Sequence, residues 1–377
     1  MRRMHLLRSL PFLVLVAACT NSPPPAEPLL PTAPFEIRAG QPVEALPTET
    51  HLRNVRQLTF EGQNAEAYWS HDGRRLILQR RTGDVTADQI YTLDLTTGDL
   101  QLVSTGKGAT TCSYFMKGDR QIVYASTHHH GEQPPPVAKV ERGKGYVWNV
   151  HREFDIFVAD ASGKNPKPLT DVQGYDAEAT VCPITGAIVF TSVRDGDLEL
   201  YTMESDGSNV KRVTNRPGYD GGAFFSHDGS KLVFRSAIPK NPEEATENVK
   251  LLEQAMVKPS HMEITICNRD GSGFRQITKN GAANFAPYWL PDDQRILFAS
   301  NFKGMEEAAK TGNHSAAGNF DLFLVREDGT GLEQVTHSPE FDSFPMFSPD
   351  GRYLVWASNR LGKVRGETNV FVAEWVD

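Results

Sequence analysis

Residues 347–359 read FSPDGRYLVWASN. An apolar residue leads into a tight turn on Pro349, Asp350 and Gly351, and an alternating strand follows, ending at Ala357 and Ser358. Gly351 can take a positive φ without steric cost, and the Asp350 carboxylate can bond to the turn's own backbone. Tyr353, Leu354, Val355 and Trp356 are strand formers. The unit recurs as WSHDGRRLILQR (69–80), FMKGDRQIVYAS (115–126), VCPITGAIVFTS (181–192), FSHDGSKLVFRS (225–236) and WLPDDQRILFAS (289–300). Self-similarity at a near-constant period outranks any local signal. The second copy is degenerate at its turn, and the third carries Ile184, Thr185 and Gly186 where others have Asp-Gly.

Each copy is followed by a second strand: QIYTLDLTTG (89–98), DIFVADASG (155–163), ELYTMESDG (199–207), EITICNRDG (263–271), DLFLVREDG (321–329) and NVFVAEWVD (369–377). Each is preceded by a short one: VRQLT (55–59), LQLVS (100–104), PKPLT (166–170), VKRVT (210–214), FRQIT (274–278) and LEQVT (332–336). Four short strands cannot bury both faces alone, so neighbouring units must stack, and closing six of them around an axis leaves no long free edge. The expected fold is all-β, a six-bladed β-propeller over residues 51–377. The first piece is an outermost strand and the last is a third strand. The N-terminal strand therefore completes the last blade and closes the ring without a covalent bond.

The 377 residues carry a formal net charge of −8. That length supports a large core, and a mildly acidic chain without a basic stripe argues against a nucleic-acid partner. No internal run of about 18 apolar residues offers a membrane span. Residues 1–18 read as a signal peptide: Arg2, Arg3 and Arg8, an apolar run, then Val16-Ala17-Ala18 before Cys19. The ending resembles a bacterial lipobox, which implies that Cys19 is acylated and becomes the mature N-terminus. Several acyl chains anchor stably. Thr20 after the cysteine resembles the sorting pattern for the outer membrane. Residues 19–50, rich in proline, are expected to form an extended tether at roughly 3 Å per residue.

The repeats resemble those of the TolB-like family, the PD40 type of WD40-like repeat, over residues 52–377. The resemblance implies the propeller fold and an envelope setting on the periplasmic side, and says little of activity. It departs from the family in two places. A proline-rich stretch stands where the family's namesake carries an α/β domain. No G-x-S-x-G nucleophile elbow of the hydrolase-bearing propellers is present.

Turns on one face are short and uniform. On the other, residues 127–154, 237–262 and 301–320 are long insertions, and function usually sits on such loops. Within the second insertion, Pro242-Glu243-Glu244 followed by Leu251, Leu252 and Met256 predicts a short rim helix. Aligned inner strands place Asn64, Thr110, Asp176, Asp220, Asn284 and Asp342 at equivalent positions. Two residues on stand Glu66, Cys112, Glu178, Gly222, Ala286 and Phe344. Period-two spacing predicts both sets on one side of each strand, ringing the channel mouth. The candidate binding residues are Asn64, Glu66, Asp176, Glu178, Asp220, Asn284 and Asp342. They suit a divalent cation through oxygen ligands or the amino groups of a peptide. The competing reading is that each carboxylate or amide caps its own turn. Arg80, Arg194, Arg235 and Arg360 either grip ligand carboxylates or pair with this ring.

His128, His130, His151, His261 and His337, with His129 and His314, fall on the same face. They are candidate metal ligands, although no HExxH pair occurs and a solvated loop is the favoured reading. Cys112, Cys182 and Cys267 fall in strands; Cys112 and Cys182 are too far apart to bridge, and buried free thiols are expected. No motif demands a cofactor or names a nucleophile. Two functions stay open for a chain expected to be monomeric. One is a non-catalytic lipoprotein module binding an envelope protein, peptide or glycan. The other is a metal-dependent lyase or hydrolase of an acidic oligosaccharide, a chemistry some propellers related to the family perform. Convergence of three His, Asp or Glu side chains distinguishes them.

Overall fold

The computed structural model describes residues 35–83, 85–137 and 147–377. It is a six-bladed β-propeller, each blade an antiparallel meander. Blade 1 runs through Gln63–Trp69, Arg75–Arg81, Gln89–Asp94 and Leu100–Leu102. The inner strands of the next five are Thr110–Phe115, Asp176–Val181, Tyr219–Phe225, Asn284–Trp289 and Asp342–Phe347. The inner and second strands pack blade on blade and bury the largest side chains, among them Trp69 and Trp289 on inner strands and Trp356, Phe190, Phe234 and Phe298 on second strands.

The outermost strand of every blade ends on a hydroxyl with one job. Ser104, Thr170, Thr214, Thr278 and Thr336 each accept the backbone N–H of the second residue of the adjacent third strand, at 2.8–3.0 Å. Thr59 does the same for Val370. That pairing closes the ring: Leu52–Gln57 lies antiparallel to Asn369–Trp375, with Leu52 opposite Trp375 and Gln57 opposite Phe371.

The closing strand goes further than the sequence indicates. Gln41–Pro42 adds a fifth strand to the last blade. Ile37 and Ala39 are buried, and the N–H groups of Arg38 and Ala39 donate to the Leu95 carbonyl of blade 1. The Arg56 guanidinium donates to the carbonyls of residues 38, 39 and 40. From residue 35 onward the expected tether is therefore part of the propeller. Of residues 35–50, Gln41–Pro42 joins the sheet, and the flanking side chains and carbonyls also find partners. The signal peptide, Cys19 and the rest of the tether lie outside the described residues.

The degenerate turns also have a purpose. Asp119 (φ 58°) and Asp293 (φ 54°) occupy the left-handed turn position that glycine fills in blades 1, 4 and 6. Asp119 accepts the backbone N–H groups of His71 and Asp72 in the preceding blade and bonds the His71 ring. Asp293 does the same to His227 and Asp228. The two HDG turns are those whose neighbour carries the aspartate.

The rim helix forms at Pro242–Glu253, with Pro242 at its first position and the Asn241 side chain accepting from Glu244 N–H at 2.8 Å. A second helix, Phe302–Thr311, fills the third insertion. Among the described residues no helix is long and apolar enough to cross a membrane.

Candidate functional site

A bulge in every inner strand shapes the channel. Glu66, Cys112, Glu178, Gly222, Ala286 and Phe344 all have φ between 46° and 60°, and the pairing register shifts at each. A bulge re-aims side chains. The period-two expectation fails here: the two aligned sets do not share a side. The second set lines a central chamber of about 900 Å³, and none of the first set does.

The first set is instead locked into polar clusters between blades. The Asn64 side chain donates to the Glu61 and Thr368 carbonyls and accepts from Arg80 at 2.6 Å. Asp176 is held bidentately by Arg194 at 3.0 and 3.1 Å. Asp220 accepts from the Arg216 guanidinium at 2.9 and 3.2 Å, and the same guanidinium donates to Ser236 Oγ. Burial raises its pKa to about 6, with Arg216 acting against that. Asn284 donates to the Met262 carbonyl and to Glu263. Asp342 accepts from Arg360 at 2.9 Å and from Trp356 Nε1. Arg360 also grips Glu49 from the N-terminal segment, and both carboxylates are 0 % exposed. Arg80, Arg194 and Arg360 thus pair with members of this set, and these five side chains bond partners within the protein rather than line the chamber.

The chamber holds the other two candidates. Glu178 is saturated: Oε2 accepts from Thr191 Oγ1 at 2.6 Å and from Gly222 N–H at 2.8 Å, while Oε1 accepts from the Tyr219 hydroxyl and from Arg235. Arg235 donates to the Tyr219 hydroxyl as well. Glu66 takes a hydrogen bond from the Cys112 thiol. Burial raises its carboxyl to about 7; the thiol bond pulls the other way, and the Glu178 charge adds to the rise. Asp88 faces Arg81 at 3.7 Å, and burial raises its pKa too.

Opposite these groups stands an aromatic wall. Phe285 meets Phe320, Phe341 and Phe344 at ring separations of 5.3, 6.3 and 5.6 Å. Two insertions close over the mouth. Trp148–Asn149 of the first pairs with Met256–Val257 of the second as a two-stranded sheet, so segments from blades 2 and 4 clasp each other. Trp148 sits edge-on to Tyr219 and Phe285 at 6.4 and 6.2 Å, with the Arg235 guanidinium 5.2 Å from its ring. Trp148 carried no signal in the sequence, being one aromatic residue in a long insertion. Arg235, Cys112 and Phe344 were visible only as aligned positions.

The histidines do not converge. His128 bonds Ser126 Oγ and packs on Phe157, and burial lowers its pKa to about 4. His130 pairs with Asp155 at 3.1 Å. His151 lies against Phe154, His261 bonds the Gly281 carbonyl, and the His337 N–H donates to Glu49. Among the described residues no three His, Cys, Asp or Glu side chains are placed to hold a metal ion. Cys112, Cys182 and Cys267 are free thiols.

No family model matches the chain. A stretch of 130 residues is 29 % identical to a TolB homolog of Chlorobium luteolum, covering 26 % of this chain and 29 % of that protein. The putative TolB of Agrobacterium tumefaciens superposes with a TM-score of 0.51 at 17 % identity, over 84 % of this chain and 91 % of the other. The propeller is similar in fold to that of the TolB proteins. The same architecture appears in a gluconolactonase of Xanthomonas campestris, with a TM-score of 0.55 at 13 % identity over 92 % and 99 % of the two chains. At such identities the likeness is one of fold. The TolB-like propeller spans under a third of the length of the curated relative it matches.

Proposed function

We propose that this TolB-like propeller is a monomeric binding module of the bacterial envelope. It is tethered through acylated Cys19 at the periplasmic side of the outer membrane, and it takes a segment of a peptide, protein or glycan into its channel. The observation that carries this reading is the chamber: about 900 Å³, aromatic on one side, polar on the other, under a two-insertion lid. Ligand sites are concave and mainly apolar, with a few placed polar groups. The metal-dependent alternative would need three converging ligands, and an acidic oligosaccharide would meet Glu66 and Glu178.

The test is thermal stability against peptide and oligosaccharide libraries, since a ligand that binds only the folded state raises the melting temperature. Ala286→Phe is the control. Phe344 occupies the matching left-handed position, also before a proline, so the backbone tolerates that ring while it fills the chamber. A hit lost in Ala286→Phe supports the reading. Hits that persist in it would move the site elsewhere.

A further inference from the structure

We infer that the chamber ligand is a monocation: a primary ammonium on an apolar or aromatic body, the ammonium against Glu66 and the body against Phe285, Phe341 and Phe344. This rests on the binding-module reading and narrows it to a ligand class.

The argument is a count of charges and acceptors. Three carboxylates line the chamber: Glu66, Glu178 and Asp88. Glu178 has four donors on its two oxygens, one of them Arg235. Asp88 faces Arg81. Among the described residues no basic side chain forms an ion pair with Glu66, whose hydrogen-bond donor is a thiol, a weak one. Among the described lining residues one negative charge is therefore left over, in a space walled by aromatic rings where an unpaired charge is costly. A single ammonium balances it. A divalent cation would demand several oxygen ligands, and Glu178 has none to spare. An anion would face Glu66 and Glu178 with Arg235 already engaged. The aromatic wall lies across the same space and favours a flat or branched apolar body. Ring faces there also tolerate a nearby cation.

The carboxyl's raised pKa gives the interaction a proton signature. Glu66 is largely protonated below about 7, so a bound ammonium must displace that proton.

The experiment is calorimetric titration of the full chain with 2-phenylethylamine, 2-phenylethanol and 3-phenylpropionate, at pH 6, 7 and 8 and in two buffers of different ionisation enthalpy. The amine is expected to bind best, to release protons at pH 7, and to gain about tenfold in affinity from pH 6 to pH 8. Glu66→Gln keeps the shape and removes the charge. It should weaken the amine about tenfold or more at pH 8 and flatten the pH dependence. Phe344→Ala should weaken amine and alcohol alike. Failure of the amine to bind, equal binding of the acid, or full amine affinity in Glu66→Gln would overturn the inference. If the acid or the alcohol binds and Ala286→Phe abolishes that binding, the charge assignment falls while the chamber remains the binding site.

Discussion

The Thr59 hydroxyl accepts the backbone N–H of Val370 at 2.9 Å, across 311 residues of chain. It is the one of six equivalent bonds that joins the two ends of the molecule. Replacing Thr59 with valine strands a buried N–H, and a loss of about 1–2 kcal/mol is expected. The same change at Thr278, inside one blade, should cost a similar amount but leave hydrogen exchange at residues 369–375 unchanged. Thr59→Val should raise exchange there.

The N-terminal segment is expected to be part of the closure rather than slack. A chain starting at residue 35 should melt with the full-length protein. One starting at 51 loses Ile37, Ala39 and the Glu49–Arg360 pair, and should melt lower. One starting at 61 also loses the closing strand and should melt lowest. Equal melting of the first two would show that residues 35–50 add nothing.

Arg360 holds two fully buried carboxylates, Glu49 and Asp342. Arg360→Leu leaves both uncompensated, and breaking such a pair typically costs about 3–5 kcal/mol. Adding Asp342→Asn and Glu49→Gln should recover much of the loss, because the stranded charges go with them. Denaturant melts of the single and triple variants decide this.

Asp119 latches blade 2 onto the turn of blade 1. Burial would raise its pKa, but the bonds from the His71 ring and from the His71 and Asp72 N–H groups outweigh that and hold it below the usual 3.8. Such a group stabilises the fold above its unfolded pKa, and the benefit is lost as the pH falls through its lower folded value. Asp119→Ala should therefore melt below wild type at neutral pH, with the gap closing below about pH 3.8. A gap constant with pH would argue for a purely steric role.

Glu66 has the opposite sign. Its carboxyl rises from 4.5 to about 7 in the fold, so ionising it costs stability. At about 1.36 kcal/mol per unit that is up to about 3 kcal/mol. Wild type should lose stability between about pH 4.5 and 7, and Glu66→Gln should lack that decline and be the more stable protein at pH 8. Parallel pH–stability curves would place Glu66 in ordinary water.

The blades were legible because their signals are local. A tight turn such as 349–351 recurs with variations in every blade, and the hydroxyl that Thr59 supplies, five times a threonine and once Ser104, does the same work six times over. The permuted order of strands revealed the closure. The channel lining was not legible, because the bulges that set it lack their usual sign. Only Gly222 among the six left-handed residues is a glycine, so alternation through Glu66 and Glu178 looked unbroken. The lid depends on Trp148 meeting Val257 across more than a hundred residues, and no local pattern announces such a pairing. The helix Phe302–Thr311 was overlooked inside an insertion, although its Glu-Glu-Ala-Ala-Lys run is rich in helix formers.

Acylation of Cys19 is open to direct labelling. Cys19→Ser should abolish fatty-acid incorporation and leave the protein unprocessed or released from the membrane. Unchanged labelling and fractionation would remove the anchor from the proposal.

The most direct measurement of chamber occupancy uses Cys112, which lines it, while Cys182 and Cys267 are buried. In the Cys19→Ser chain, the rate of N-ethylmaleimide reaction at Cys112 should fall when 2-phenylethylamine or a hit from the peptide and glycan libraries is added. In Ala286→Phe it should start low and show no further protection. A Cys112 rate unaffected by every compound that raises the melting temperature would contradict the claim that the chamber is where this propeller binds.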